Sequence, residues 1–435
     1  MTVNGHTPPD TPLSTRDEGP QTPAKGAFLA LGLLLGINLF NYIDRYILSA
    51  NLENIEKAML TTGGAENKER LGLLASAFMV TYMVFAPLFG WLADWVPRWR
   101  LVGVGVILWS LASGASGLAG TFWMLLLTRC CVGIGEAAYG PIAPAVLADL
   151  YPVRERGRVM AWFYVAIPIG SAVGLAFGGL AGWPDSFFWV VPPGLALGLL
   201  CFFMPDPARG RIDPKAARPV RHVRLRDYVR LLKNKSYVLN TLGMIGMTFS
   251  MGGLAHWMPY YVSTYRQAGD LKEVTSRFGI LMFISGLLGT ILGGLAGDWL
   301  RPRFSGSYFL VSGLAIFVAF PMFLAMVLLR FPFAWVPMTI ASFCLFVSTG
   351  PTSTILANVT HPSLRAAAFA LNIFIIHALG DAISPTVIGA IADRTNLKVG
   401  FLAMSGMLLL AAVCWTAGAK YLATDTANAE HQLDD

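Results

Sequence analysis

Charged residues are scarce in this chain. Of its 435 residues only 13% are Asp, Glu, Lys or Arg, whereas 55% are hydrophobic. About a quarter of an average soluble sequence is charged, because a globule of this size needs polar surface to face water. The composition therefore excludes an ordinary soluble protein and indicates one that is embedded in a membrane.

Several chemical signatures are also missing. The chain has no phosphate-binding loop that ends in Gly-Lys and no motif that pairs a nucleophile with a base, so neither an ATP-driven pump nor an enzyme is expected. The five cysteines lie in apolar segments without the spacing of metal ligands, and we predict no metal site and no cofactor. The net charge of +7 is compatible with nucleic-acid binding, but the basic residues lie where they would set membrane topology. No nucleic-acid partner is predicted.

Long apolar runs are abundant instead. Twelve segments approach or exceed the roughly 20 residues that an α-helix needs to cross the ~30 Å hydrocarbon layer. The short alternating segments of a membrane β-barrel are absent. We therefore predict an all-α polytopic membrane protein with twelve transmembrane helices.

One long polar break divides these segments into two groups of six. The predicted organisation is a disordered tail over 1–25, a six-helix bundle over 26–204, a linker over 205–236, a second bundle over 237–422 and a short tail over 423–435. The linker carries a basic amphipathic pattern that predicts a helix on the membrane surface, in contact with lipid headgroups. Basic residues favour the loops on the linker's side, which predicts that both termini are cytoplasmic, in the inner membrane of a bacterium.

A repeat supports the division into two halves. A glycine four residues before an aspartate, followed by Trp and then by basic residues, occurs after the second span and again after the eighth; the residues are Gly90, Asp94, Arg98 and Arg100, then Gly294, Asp298, Arg301 and Arg303. Two similar halves are typical of carriers that work by alternating access, with the site at the interface between the halves. The repeated turns are either a latch that closes when the carrier opens outward or turns that set topology.

The stretch from Gly90 to Arg100 resembles the loop signature of the major facilitator superfamily, G-x-L-x-D-R-x-G-R-R, although Trp95 and Pro97 replace the usual Arg and Gly. Within that superfamily, FNYIDRYILS over 40–49 and RCCVGIGEA over 129–137 resemble the Spinster family of lysolipid and sphingosine-1-phosphate transporters. The resemblance implies the major facilitator fold, with two pseudo-symmetric six-helix bundles. It also implies transport of a lysolipid-like amphiphile, which is coupled to protons in some members.

Two apolar spans carry charges that cost at least ~2.5 kcal/mol each to place near the bilayer centre. The first span holds Asp44 and Arg45; the fourth holds Arg129 and Glu136, two helical turns apart on one face. We predict that Asp44 pairs with Arg129 and that both cluster with Glu136. In this cluster Glu136 is the first candidate for a proton carrier and Asp44 the second. Arg129 or Arg45 would offer a planar fork to a phosphate headgroup, unless Arg45 instead reaches toward the membrane surface.

Further polar residues complete the predicted site. Asn41, Tyr42 and Tyr46 accompany the charges in the first span. In the eleventh span His377 and Asp381 are four residues apart and share a face. His377 is either a group that titrates near neutral pH or a hydrogen-bonded packing residue.

The predicted function is therefore secondary transport of lysophospholipid-like or sphingoid-phosphate-like amphiphiles by a monomer, with protons as the coupling ion. Three alternatives stay open. The first two are a carrier of small organic anions and a proton-coupled drug exporter of the same superfamily. The third is a lipid receptor or scaffold that does not transport.

Overall fold

A computed structural model describes residues 22–60, 66–93, 95–207, 225–361 and 364–431. The first half of the chain is helical throughout, with short connections. Its helices are α1 (Ala27–Ala50), α2 (Leu52–Met59), α3 (Asn67–Leu92), α4 (Arg98–Gly117), α5 (Phe122–Ala137), α6 (Ile142–Leu150), α7 (Val153–Ala181), α8 (Asp185–Trp189) and α9 (Val191–Cys201).

The second half repeats this plan and adds two π-helical turns. Its helices are α10 (Leu225–Lys233), α11 (Lys235–Tyr260), α12 (Leu271–Leu300), α13 (Ser307–Leu328), α14 (Trp335–Val347), α15 (Thr349–Asn358), α16 (Arg365–Ile376), α17 (Ser384–Arg394), α18 (Leu397–Gly418) and α19 (Leu422–Ala427). The π-helical turns are Tyr261–Tyr265 after α11 and His377–Asp381 after α16.

The predicted all-α membrane fold is confirmed. Among the described residues, eleven helical stretches are long and apolar enough to cross a membrane. The one remaining predicted span, the sixth in chain order, corresponds to α8 and α9, a shorter apolar stretch over Asp185–Cys201. Two prolines begin α9, where their missing N–H groups cost no helical hydrogen bond, and they divide this span into two pieces.

Consecutive spans run in opposite directions, so the molecule has two ends. The linker face is the end that holds residues 95–97, 202–207 and 301–306, and the opposite face holds residues 51–60, 182–184 and 329–334. The two halves of the chain meet mainly through α3 against α17 and α7 against α12. The boundaries predicted for the tails and the linker stay a prediction, since residues 1–21, 208–224 and 432–435 lie outside the described residues.

Close backbone approach joins the halves near the opposite face. Gly72 of α3 lies against the backbone of Pro385 and Thr386, and Gly389 of α17 lies against the backbone of Lys68. A Cβ atom at either glycine would overlap the other helix, so only glycine allows α3 and α17 to approach this closely. Ser76 and Thr386 also share a hydrogen bond of 2.7 Å across the same contact.

At the linker face, the repeated turns make contacts within their own halves. Arg98 forms an ion pair with Asp149, and its backbone N–H donates to Asp206 at 3.0 Å. In the second half the Tyr308 hydroxyl donates to Asp298 at 2.8 Å and accepts from Arg301 at 3.3 Å. The remaining predicted members lie as follows: Gly90 near Pro141, Gly294 with open space beside it, Arg100 exposed, and Arg303 4.6 Å from the ring centre of Trp299; Asp94 lies outside the described residues.

Candidate functional site

A cavity of about 710 Å³ lies between the two halves and is lined by both. Near the opposite face its end is formed by buried residues, among them Ser49 at 8% exposure and His256 at 4%. Toward the linker face its lining residues Tyr164 and Ile291 are exposed at 49% and 51%. The cavity is therefore closed at the opposite face and opens toward the linker face.

The first charged pair of the site joins α1 to α5. Arg129 Nη2 lies 3.5 Å from Asp44 Oδ2, and the two side chains are only 2% and 3% exposed. Asp44 also accepts a hydrogen bond from the Ser113 hydroxyl of α4, while the Arg129 guanidinium lies 5.7 Å from the ring centre of Phe187. Both charges line the closed end of the cavity.

The second charged pair differs from the sequence prediction, which grouped Glu136 with Asp44 and Arg129. Glu136 Oε2 instead accepts from Arg45, at 2.7 Å from Nη2 and 2.8 Å from Nε. The physical reason is the ~100° rotation between neighbouring residues of a helix, which turns Asp44 and Arg45 toward different parts of α5. The interpretation that Arg45 reaches toward the membrane surface is wrong, because its guanidinium lies inside the bundle.

Aromatic rings surround the Arg45 guanidinium. Its central carbon lies 5.1 Å from the ring centre of Tyr42, 4.8 Å from that of Phe78 and 5.4 Å from that of Tyr82. Contacts of this kind attract a cation through the negative faces of the rings. Phe78 and Tyr82 were missed by the sequence analysis, because two aromatic residues four apart in an apolar span are ordinary packing residues by pattern alone.

Two buried polar atoms of these pairs have no hydrogen bond. Glu136 is 0% exposed and its Oε1 lacks a hydrogen-bond partner, although the Asn41 side chain is close enough to interact with the carboxylate. Arg129 Nε is likewise without a partner. Unpaired buried groups are costly and uncommon, so they mark places where a ligand, water or proton can bind.

The remaining predicted residues take separate positions. Tyr42 and Tyr46 line the cavity, whereas Asn41 is buried beside it at 3% exposure. From the second half, His377 and Asp381 reach the cavity at the π-helical turn, where His377 Nδ1 lies 2.8 Å from Asp381 Oδ1. This turn brings Gly380 against Thr248 of α11. No group of three or more metal-ligating side chains occurs in the part of the chain that the structure describes.

The opposite face is held shut by carboxylates that cross between the halves. Asp393 accepts hydrogen bonds from the backbone N–H groups of Lys68 at 3.0 Å and Glu69 at 2.7 Å, and so occupies the N-terminal end of α3. In return, α2 of the first half contributes Glu56, which accepts from the Tyr260 hydroxyl. The sequence analysis did not predict these contacts, because their partners are more than 200 residues apart.

Glu53 on α2 belongs to the same group of contacts. It accepts from the Thr264 hydroxyl at 2.7 Å and from the Ser263 hydroxyl at 3.2 Å, both in the second half. Burial opposes ionisation of Glu53, but the hydrogen bonds from Lys57, Thr264 and Ser263 outweigh it and hold the pKa of the carboxyl below its ordinary value of 4.5. Two of these three partners are lost if the halves separate at this face.

Acidification is expected to loosen this closure. The ionised carboxylate is the form that the second half binds, so Glu53 stabilises the closed face above pH 4.5, and this contribution is lost as the pH falls below that value. The distance between spin labels at Ala58 and Lys272, one on each half, should stay constant from about pH 7 to about pH 5 and lengthen as the pH falls further to about 3. Glu53→Gln should show the longer distance at neutral pH already.

A matched control is Glu273→Gln, which removes an exposed carboxylate that pairs within its own helix with Arg277. It should leave the label distance unchanged. An unmodified protein whose label distance does not respond to pH would contradict the role assigned to Glu53.

Comparisons with known proteins agree with this architecture. The family model described as Major Facilitator Superfamily matches residues 34–385. Among similar proteins, Protein spinster homolog 3 of Danio rerio is 33% identical over 407 residues, which are 87% of this chain and 81% of the relative. The sphingosine-1-phosphate transporter SPNS2 of Danio rerio is 31% identical over 389 residues, 84% of this chain and 76% of the relative.

Solved structures show the same fold. A bacterial homolog of the human lysosomal transporter Spinster, in an inward-facing and unoccupied conformation, superposes with a TM-score of 0.82 at 20% identity, covering 92% of this chain and 98% of that one. A D-xylose–proton symporter superposes with a TM-score of 0.71 at 16% identity, covering 89% of this chain and 96% of that one.

Proposed function

Because this chain belongs to the major facilitator superfamily and, within it, to the Spinster family, we propose that it moves lysophospholipid-like or sphingoid-phosphate-like amphiphiles by alternating access. The family predicted from the two sequence motifs is confirmed by these matches. The protein is thus an integral, multi-pass membrane transporter rather than an enzyme.

The observation that carries this proposal is the uneven lining of the cavity. Its closed end holds the Asp44–Arg129 pair, and the Arg45 guanidinium lies beside it. Toward the linker face the lining is dominated by apolar side chains, among them Met79, Leu287, Ile291 and Phe346. A volume of 710 Å³ is in the range of small-molecule sites. An amphiphile with one charged head and an apolar tail fits this division, with its head at the closed end.

Arg45 is the proposed contact for the anionic head. It is 21% exposed and its planar guanidinium can bind two oxygens of a phosphate in parallel. A phosphate that binds the Arg45 guanidinium competes with Glu136 for it. Glu136 is 0% exposed, and among the described residues Arg45 is the cation that forms an ion pair with it. A buried carboxylate left without a cation is strongly unfavourable, so proton uptake by Glu136 would accompany head binding.

This exchange predicts coupling to protons. An imposed pH gradient across proteoliposomes is expected to change the initial rate of lysolipid uptake by the unmodified protein. Glu136→Gln carries no titratable carboxyl and should respond to the gradient much less. Equal rates with and without the gradient in the unmodified protein would remove protons from the proposal and leave a facilitative carrier.

The proposed placement in the membrane follows from the basic residues of the linker face. Arg98, Arg100, Arg301 and Arg303 all lie there, which favours that face as the cytoplasmic one. Both termini would then be cytoplasmic, in the inner membrane of a bacterium, and the structure would be the inward-facing state. We propose a monomer in contact with membrane lipids, since one chain supplies both walls of the cavity.

Uptake of labelled 1-oleoyl-glycero-3-phosphocholine into proteoliposomes tests the proposal. The purified protein should raise uptake well above that of protein-free vesicles, and Arg129→Ala should remove the increase. Uptake of small organic anions or drugs without uptake of the lysolipid would favour another carrier of the superfamily. Lysolipid binding without any flux would favour a receptor or scaffold.

A further inference from the structure

His256 is a buried polar residue that none of the ion pairs uses. It lies in α11, lines the closed end of the cavity and is only 4% exposed. Its ring stands perpendicular to that of Trp257 at 5.1 Å between centres, and Trp257 is itself fixed by a hydrogen bond of 2.9 Å from Nε1 to the Pro385 carbonyl. The contact with Trp257 therefore fixes the position of the imidazole within the second half of the chain.

One nitrogen of this ring has no partner. The backbone carbonyl of Leu71, on α3 of the first half, interacts with the imidazole, yet Nε2 completes no hydrogen bond. The large majority of buried side-chain polar atoms in proteins are hydrogen-bonded, so an unpaired nitrogen on a side chain that lines a ligand-sized cavity points to a group supplied by the ligand. Within the cavity lining, Arg129 Nε is a second unpaired group, on the other half.

The two unpaired groups lie at similar depth. Arg129 is about two turns from the end of α5 at the opposite face, and His256 precedes the end of its own span there by a similar distance. A polar head that reaches this depth therefore meets a cationic donor from the first half and an imidazole from the second. Asp44 already pairs with Arg129 on the first half, so the imidazole is the contact left for a second polar group of the head.

A hydroxyl is the group that suits an imidazole best. An imidazole nitrogen is either a donor or an acceptor, depending on the tautomer, and a hydroxyl can serve as either. Both substrate types of the proposed function carry a free hydroxyl within a few bonds of the phosphate ester. In a lysophospholipid it is the hydroxyl that a second acyl chain would otherwise occupy.

We propose that His256 is a specificity-determining residue that binds the free hydroxyl beside the phosphate of a lysolipid. This inference rests on the proposed function and names the part of the substrate that the closed end of the cavity recognises. A lipid whose hydroxyl is missing or esterified leaves Nε2 unpaired, and loss of one such hydrogen bond at a buried partner lowers transport about tenfold.

The experiment compares two labelled lipids in proteoliposomes that contain the full chain. One is 1-oleoyl-glycero-3-phosphocholine and the other is its 2-deoxy analogue, which has propanediol in place of glycerol. The ratio of their initial uptake rates should be about ten for the unmodified protein and about one for His256→Leu. His256→Gln keeps a group that donates and accepts hydrogen bonds, so it should keep most of the preference.

Ser250→Ala is the matched control. Ser250 is buried on the same helix, but its hydroxyl donates to the Gly246 carbonyl within that helix at 2.8 Å, so its removal should leave the ratio at about ten. Thermal unfolding of each variant shows whether the protein is folded. If His256→Leu does not fold, His256→Gln still tests the inference, because it should keep most of the preference for the hydroxylated lipid.

Two results overturn the inference while the proposed function stands. One is equal transport of both lipids by the unmodified protein, and the other is a preference that survives in His256→Leu. Absence of uptake for either lipid in the unmodified protein overturns the proposed function, and the inference with it.

Discussion

Replacing Arg45 with Ala is expected to reduce lysolipid uptake by at least about 100-fold and to destabilise the fold by about 3–5 kcal/mol. The reason is the position of Glu136, which is 0% exposed, accepts a hydrogen bond from Arg45 Nε at 2.8 Å and lies 2.7 Å from Arg45 Nη2 in an ion pair. Without the guanidinium, a buried carboxylate either stays charged without a partner or takes up a proton. Uptake into proteoliposomes and denaturant unfolding of the detergent-solubilised variant measure the two effects.

The double variant Arg45→Met with Glu136→Gln separates stability from transport. Replacing both charges together removes the buried unpaired charge, so most of the lost stability should return. Uptake should stay low, because the cavity then lacks the guanidinium that we propose as the contact for the anionic head. A double variant that transports like the unmodified protein would show that the Arg45–Glu136 pair only holds α1 against α5.

Removing the charge of Asp44 is expected to have an effect of similar size. Asp44→Asn keeps the shape of the side chain and can still accept from the Ser113 hydroxyl, but it leaves Arg129, 2% exposed, without its carboxylate. We expect a loss of about 3–5 kcal/mol in stability and a loss of uptake of at least about 100-fold. The same two measurements apply.

Two further variants sharpen this test. Combining Asp44→Asn with Arg129→Met should recover stability and leave uptake low. Ser110→Ala serves as the control for packing, since Ser110 is buried in α4 at 2% exposure and donates only within its own helix, to Val106 at 2.7 Å. An Asp44→Asn protein that is as stable and as active as the Ser110→Ala protein would contradict the role of the pair.

The two ion pairs of the first half differ in how accessible they are from the cavity. Asp44 and Arg129 form a nearly inaccessible unit at the closed end of the cavity, with exposures of 2–3%. Arg45 is more accessible, at 21%, and is surrounded by three aromatic rings that attract a cation whether or not Glu136 is bound. We therefore assign the movable contact to Arg45 and the fixed one to Arg129.

Much of the fold follows from local sequence properties. Apolar length predicts the spans, and the long break after Met204 predicts the division into halves, because both are properties of continuous segments. The span over Asp185–Cys201 is the weakest case, because two prolines shorten its regular helices. The charged residues of the site are also visible in the sequence, since a charge in an apolar span is costly wherever its partner lies.

The sequence does not show which residues these charges pair with. Asp44 and Arg45 are adjacent in sequence, and only the packed helices decide that one pairs with Arg129 and the other with Glu136. Closure of the opposite face depends on Asp393 binding the start of α3, a contact over more than 300 residues that leaves no periodic pattern. The unpaired nitrogen of His256 is likewise a property of the packed cavity and not of any motif.

We propose that Arg45, held by Glu136 at rest, binds the head of a lysolipid that this protein transports. Initial uptake of labelled 1-oleoyl-glycero-3-phosphocholine into proteoliposomes, measured for the unmodified protein and for the folded Arg45→Met and Glu136→Gln double variant, tests it most directly. We predict uptake well above protein-free vesicles for the first and at their level for the second. Equal uptake by both proteins, or none by the unmodified one, would contradict the claim.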